Sequence, residues 1–245
     1  MPPTITDIHF ERFKGTWDYH GPIGEERLAR PVDIYPDLNA QGNTMPIGIV
    51  EGGPPYPIQA VFMFIDTDAG VSGCYGPIGL EEARIIDRRL KTVVIGEPAH
   101  PVERTWDRMY RSSFTGRKGE TMMAISKVDL ALWDLKGKLL DAPVYERLGG
   151  PSRDRVRAYA SMLGHSVEPD MATERAREVA EAGYTATKWF FRYGPTNGPE
   201  GIRRNLALIR AVREAVGPDV EIMFSTPGTA GTCPIRSGWR NSPRT

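Results

Sequence analysis

At 245 residues with 31 basic and 31 acidic side chains, the chain has zero formal charge, and no run of Lys or Arg forms the basic stripe that nucleic acid or an acidic lipid surface attracts. No nucleic-acid partner and no membrane partner is expected, and since the opening MPPTITDIHFERF lacks a signal-peptide pattern and no apolar run approaches about 18 residues, the expected location is cytoplasmic. The two cysteines, Cys74 and Cys233, have neither metal-finger nor redox spacing, and the length allows one large or two modest domains.

Residues Thr4 to Tyr19 alternate loosely through Ile5, Ile8, Phe10 and Phe13, which predicts a strand. A polar loop rich in Gly, Pro and Asp follows as far as Pro46, and a loop of that length is uncommon unless it covers something. IQAVFMFI, Ile58 to Ile65, predicts a second strand; Asp66 to Gly70 supplies a turn and Val71 to Tyr75 the returning strand of a hairpin. Helices are expected from near Leu80 and from Pro101 to Arg111, so residues 1–120 read as a small α+β domain.

From Thr121 to Leu140 the residues Met122, Ile125, Val128, Leu132, Leu135 and Leu139 recur at spacings of three and four, the pattern of a helix with one buried face, and Pro143 and Gly149-Gly150 end it. The period then alternates. Val156 to Met162 predicts a strand, Glu168 to Ala182 a helix, Thr185 to Phe191 a strand, Gly198 to Val216 a helix and Val220 to Phe224 a strand. Alternating units of this size argue for an α/β parallel sheet or a (β/α) barrel across 121–224.

Two segments carry a family resemblance. SKVDLALWDLKGKLLDAPVYERLGG, Ser126 to Gly150, resembles the signature helix of the mandelate racemase and muconate lactonizing branch of the enolase superfamily. The resemblance implies an N-terminal α+β capping domain, 1–120, followed by the first part of a (β/α) TIM-type barrel, 121–224, that is incomplete. It also implies abstraction of the proton next to a carboxylate, with Mg²⁺ stabilising the enediolate and a Lys or His as base.

The second segment, KWFFRYGP from Lys188 to Pro195, is similar to the L-rhamnonate dehydratase type within that branch. Lys188 is then the implied catalytic residue. Phe190 stands where many relatives carry a second lysine, which disfavours racemase or cycloisomerase chemistry, and Arg192 stands where His would be expected. Residues at the carboxyl ends of barrel strands face the active site. Arg192, suited to bidentate carboxylate binding, and the capping-loop residues Arg30 and His20 are therefore candidate substrate-binding groups. The alternatives at this point are solvated cations at a strand end and exposed polar residues of a loop. His9, His100 and His165 have no partner at metal-ligand spacing.

EIMF, Glu221 to Phe224, looks like the third barrel strand, after which the family places its first metal-binding aspartate; Ser225 stands there instead, and no Asp or Glu follows Glu221. The tail 225–245 has no regular period, and its Gly, Pro, Ser and Thr content is that of a linker. A shift of reading frame after Phe224 would account for it. Mg²⁺ is therefore expected for an intact family member and not for this chain. The expectation is a partial barrel of low stability whose last strand has an unpaired edge. Three functions stay open: an acid-sugar dehydratase acting on a small sugar-acid carboxylate, a catalytically dead or binding fragment, and a racemase or cycloisomerase. A homo-oligomer is possible in each.

Overall fold

A computed structural model describes residues 2–21, 23, 24, 26, 28–39, 54–116, 118–225 and 233–235. In chain order its regular elements are β1 (Ile5–Trp17), a 3₁₀ turn (Pro31–Ile34), α1 (Pro36–Asn39), β2 (Tyr56–Thr67), β3 (Ser72–Tyr75), α2 (Leu80–Ile85), a π turn (Ile86–Leu90) and α3 (Lys91–Val94). They continue with α4 (Val102–Ser112), α5 (Glu120–Leu139), α6 (Val144–Arg147), β4 (Ala160–Ser161), α7 (Pro169–Glu181), β5 (Ala186–Phe190), a 3₁₀ turn (Pro195–Asn197), α8 (Gly198–Val216), β6 (Glu221–Ser225) and β7 (Cys233–Ile235). The chain divides into two compact units, Met1–Tyr19 with Gly48–Asp154 and His20–Ile47 with Arg155–Thr245.

In the first unit an antiparallel sheet, ordered β1-β2-β3, pairs Ile8 with Ile65 and Phe10 with Met63. The side chains of Ile5, Ile8, Met63 and Ile65 enter one core with Ile125, Val128, Leu132 and Leu135, the buried stripe of α5. That shared core explains a difference from the expected boundary at 120/121. A helical period shows that a helix has a buried face but not which sheet covers it, and α5 packs with the first unit rather than opening the second. β3 meets the helix closely enough that Cys74 N donates to Asp134 Oδ2 at 2.7 Å.

In the second unit β4, β5 and β6 are parallel, with Ser161, Lys188 and Met223 in register. Thr187, Trp189, Ile222 and Phe224 are buried, and the last three share a core with Ala172 and Ala176 of α7 and Leu208 and Val212 of α8. Two expectations are corrected here. The strand expected over Val156 to Met162 contracts to Ala160–Ser161, because β4 is an edge with one neighbour and Val156 stays 79% exposed. The unpaired edge expected beyond Phe224 is covered: β7 pairs antiparallel with β6, placing Ile235, Pro234 and Cys233 opposite Ile222, Met223 and Phe224. The remainder of the tail, and residues 40–46 of the long loop, lie outside the described residues. No helix among the described residues is long and apolar enough to cross a membrane.

Candidate active site at the carboxyl ends of the parallel strands

Alternation along β5 decides where Lys188 points. Thr187 and Trp189 are buried on the helix side, so Lys188 projects from the opposite face, together with Phe190. Its Nζ donates to Tyr159 Oη at 3.0 Å and lies 4.9 Å from the Tyr159 ring centroid and 5.3 Å from that of Phe190. Two aromatic faces thus hold the ammonium without neutralising it.

The described part of the long loop lies against this sheet end. Gly24 N donates to Gly164 O at 2.7 Å, beyond β4, and Ala29 N to Phe191 O at 2.8 Å, beyond β5. Glu26 pins the loop with its side chain, accepting from Val167 N at 2.9 Å and from Ser166 Oγ. Arg192 joins the same network, with Nη1 2.6 Å from Glu168 Oε1 and 3.7 Å from Glu26 Oε2. Arg30 is anchored through its backbone, its N donating to Asp33 Oδ2 at 2.7 Å, and Asp33 is only 1% exposed. The Arg30 Nε is buried and, among the described residues, has no hydrogen-bond partner; Asp33 Oδ1 is 3.8 Å away. His20 is exposed.

Of the four site residues expected from sequence, Arg30 and Arg192 therefore stand on segments that the loop contacts tie together, and Lys188 lies on the adjacent strand. Tyr159, Glu26, Ser166 and Glu168 escaped sequence reasoning. Glu26 and Ser166 are 140 positions apart, and no local spacing announces such a bond. A shallow depression lined by Arg157, Ala158, Gly183, Tyr184 and Thr185 opens at the amino ends of β4 and β5, the end opposite to the one barrel enzymes use.

The strand ends do not suit Mg²⁺. Ser225 closes β6 opposite Phe190, and a neutral hydroxyl is a poor substitute for a carboxylate toward a hard divalent cation. Among the described residues, the group of acidic and histidine side chains able to converge on an ion is Asp7, His9 and Asp66, which belongs to the first unit. Sequence spacing offers His9 no partner, and it is the pairing of β1 with β2 that brings Asp66 to it across 57 positions of chain.

His165, next to Ser166, is held below its ordinary pKa, at about 4, by burial and then by the neighbouring Arg175 charge, with Glu178 opposing. A histidine with a depressed folded pKa supports folding fully above its unfolded value of 6.5, and that contribution is lost as pH falls from there toward about 4. The midpoint of thermal unfolding of the second unit is expected to drop over this window. In His165→Gln the drop should be smaller; an unchanged profile would reject the assignment.

The second unit has the geometry of a loop laid over the carboxyl ends of parallel strands. Residues 57–149, in the first unit, match the model of the mandelate racemase / muconate lactonizing enzyme N-terminal domain. The chain belongs to the mandelate racemase and muconate lactonizing branch of the enolase superfamily. Among its relatives in this branch is the L-rhamnonate dehydratase of Saccharopolyspora erythraea, 33% identical over 86% of this chain and 50% of the relative. Of the solved structures, L-rhamnonate dehydratase from Gibberella zeae aligns with a TM-score of 0.66 at 28% identity, over 91% of this chain and 51% of that one. D-glucarate dehydratase from Agrobacterium tumefaciens, crystallised with magnesium, aligns with a TM-score of 0.63 at 26% identity, over 90% and 53%. The chain spans about half the length of the curated relatives it matches. The capping unit followed by the first strands of an incomplete (β/α) barrel is the mandelate racemase and muconate lactonizing architecture.

Proposed function

We propose that this chain carries the substrate-carboxylate side of an acid-sugar dehydratase and does not carry its metal-binding side. The observation that supports the reading is Lys188: an ammonium held between two aromatic rings on the face of β5 opposite Trp189, at the sheet end where the described loop residues are anchored. In such a reaction the proton next to the substrate carboxylate is removed and a β-hydroxyl leaves. A fixed cation beside that carboxylate favours the dianionic intermediate. Arg30, whose Nε has no hydrogen-bond partner among the described residues and lies 3.8 Å from Asp33 Oδ1, is the second cation proposed to face substrate, with His20 closing from the loop. Arg192 already meets Glu168 and Glu26, and in this reading it contributes by holding the loop against the strand ends.

The test is calorimetric titration of the chain with L-rhamnonate and D-glucarate, followed by an assay for 2-keto acid formation in Mg²⁺. A sugar acid is expected to bind, with affinity reduced about tenfold in Lys188→Met, the size of one charge-assisted contact. No turnover is expected, because Ser225 supplies no carboxylate. Binding that is indifferent to Lys188 would remove the substrate reading, and turnover would remove the metal argument.

A further inference from the structure

We propose that the first unit holds a binding site for a divalent transition-metal ion of the Zn²⁺ class, formed by Asp7, His9 and Asp66 on the face of the sheet opposite its core. Asp7 and His9 are two positions apart on β1 and so share a face. The β1–β2 register, with an irregularity between Ile5 and Asp7, sets Asp66 opposite Asp7. One ligand atom from each of the three residues lies within 4.8 Å of the other two.

Each of the three also has another group beside it that fixes its orientation. His9 Nε2 faces Glu11 Oε1 at 3.5 Å while Nδ1 points at Asp66 Oδ2, 3.0 Å away. The His9 ring is further fixed by stacking on Phe64, with centroids 5.3 Å apart. Ser72 Oγ donates to Asp66 Oδ1 at 2.5 Å, leaving Oδ2 toward His9. Lys91 Nζ sits 2.7 Å from Asp7 Oδ1, and the Ile8 backbone amide also donates to this carboxylate. A histidine whose second nitrogen faces a carboxylate, with the carboxylate ligands hydrogen-bonded in turn, is the outer arrangement that orients metal ligands and fixes the histidine tautomer.

Charge agrees with this assignment. Asp7, Asp66 and Glu11 against Lys91 leave a net charge of −2 at the cluster, the complement of a divalent ion. One imidazole with two carboxylates and room for water suits Zn²⁺ and its neighbours in the first transition series; Mg²⁺, which seeks oxygen ligands in near-octahedral geometry, is disfavoured. The site is separate from the acid-sugar reading and does not depend on it.

The full chain, free of any affinity tag, should be titrated with Zn²⁺ in a calorimeter and melted with and without the ion. One equivalent is expected to bind and to raise the melting temperature, while a hundredfold excess of Mg²⁺ leaves the titration unchanged. His9→Phe, which keeps an aromatic ring over Phe64 but has no nitrogen, should abolish this binding with the metal-free melt unaltered. Asp66→Asn should weaken it at least tenfold, which gives a second reading if the first variant folds poorly. Failure of the parent chain to bind one equivalent, or equal affinity in His9→Phe, overturns the proposal.

Discussion

Replacing Trp189 by alanine is expected to unfold the second unit while leaving the first folded. The Trp189 side chain is 0% exposed, and it shares a core with α7, α8 and β6 that has no residue in common with the core around α5. Removing a fully buried tryptophan costs about 3–5 kcal/mol when the cavity cannot collapse. The indole Nε1 also donates to the buried Thr187 Oγ1 at 3.1 Å. Losing that partner leaves a buried hydroxyl unsatisfied, at a further cost of about 1–3 kcal/mol. Whole domains are stable by only about 5–15 kcal/mol, and this sheet has little in reserve, with β4 two residues long and β7 three. Hydrogen exchange resolved by segment should show amides of β5, β6 and α8 losing protection while those of α5 retain theirs. Trp189→Phe, which refills most of the space, should recover much of it. Simultaneous loss of protection in α5 would show that the two cores do not fold separately.

The second large effect is expected at Gly73. A Cβ at this position would stand 2.6 Å from Leu135 Cβ and 3.0 Å from Leu135 N, with the Ala131 carbonyl oxygen closer still. Two of these three obstacles are helix backbone, so no side-chain rotation relieves them and α5 must move away from β3. Overpacking of this kind costs about 3 kcal/mol. Gly73→Ala should therefore lower the urea midpoint of the first unit substantially. Gly15→Ala is the control, because its Cβ would meet only Ile58 side-chain atoms at 3.7 Å or more, an ordinary contact. If the two variants unfold at the same urea concentration, β3 does not pack in solution directly against the α5 backbone at Ala131 and Leu135.

Periodicity made most of these elements legible in the sequence. The stripe Ile125, Val128, Leu132, Leu135 is buried along α5, and the β/α alternation after it recovered β5, α8 and β6 to within a residue or two. What periodicity cannot supply is partnership. It gave α5 a buried face without saying that Met63 and Ile65 would cover it, so the domain boundary was set before the helix instead of after it. It read Val156 as the start of a strand, where an edge with one neighbour has no use for it. The short β7 was invisible because three residues around a proline carry no period.

The candidate site divides in the same way. Lys188 could be found because it stands at a strand end within a family-like segment, and Arg192 because it follows four residues later. The carboxylates that hold Arg192 could not be, since Glu26 approaches from the far side of the first unit's sequence, and a glutamate in a polar loop looks like any other. Asp7 and Asp66 were not singled out beside His9, because Asp66 comes near only through the register of the β1–β2 hairpin.

The antiparallel entry of β7 has a consequence for how this sheet meets other chains. A parallel strand presents its open edge to any extended peptide that arrives, whereas β6 already has its outer hydrogen-bonding groups engaged by Cys233–Ile235. Among the described residues the frontier of the sheet thus moves outward to a strand of three residues with Pro234 at its centre. Proline offers no amide proton there, so an incoming strand finds a ladder with a missing rung. Ser225 ends β6 on a neutral hydroxyl, and a few residues later Cys233–Ile235 acts as a stopper against further strand addition.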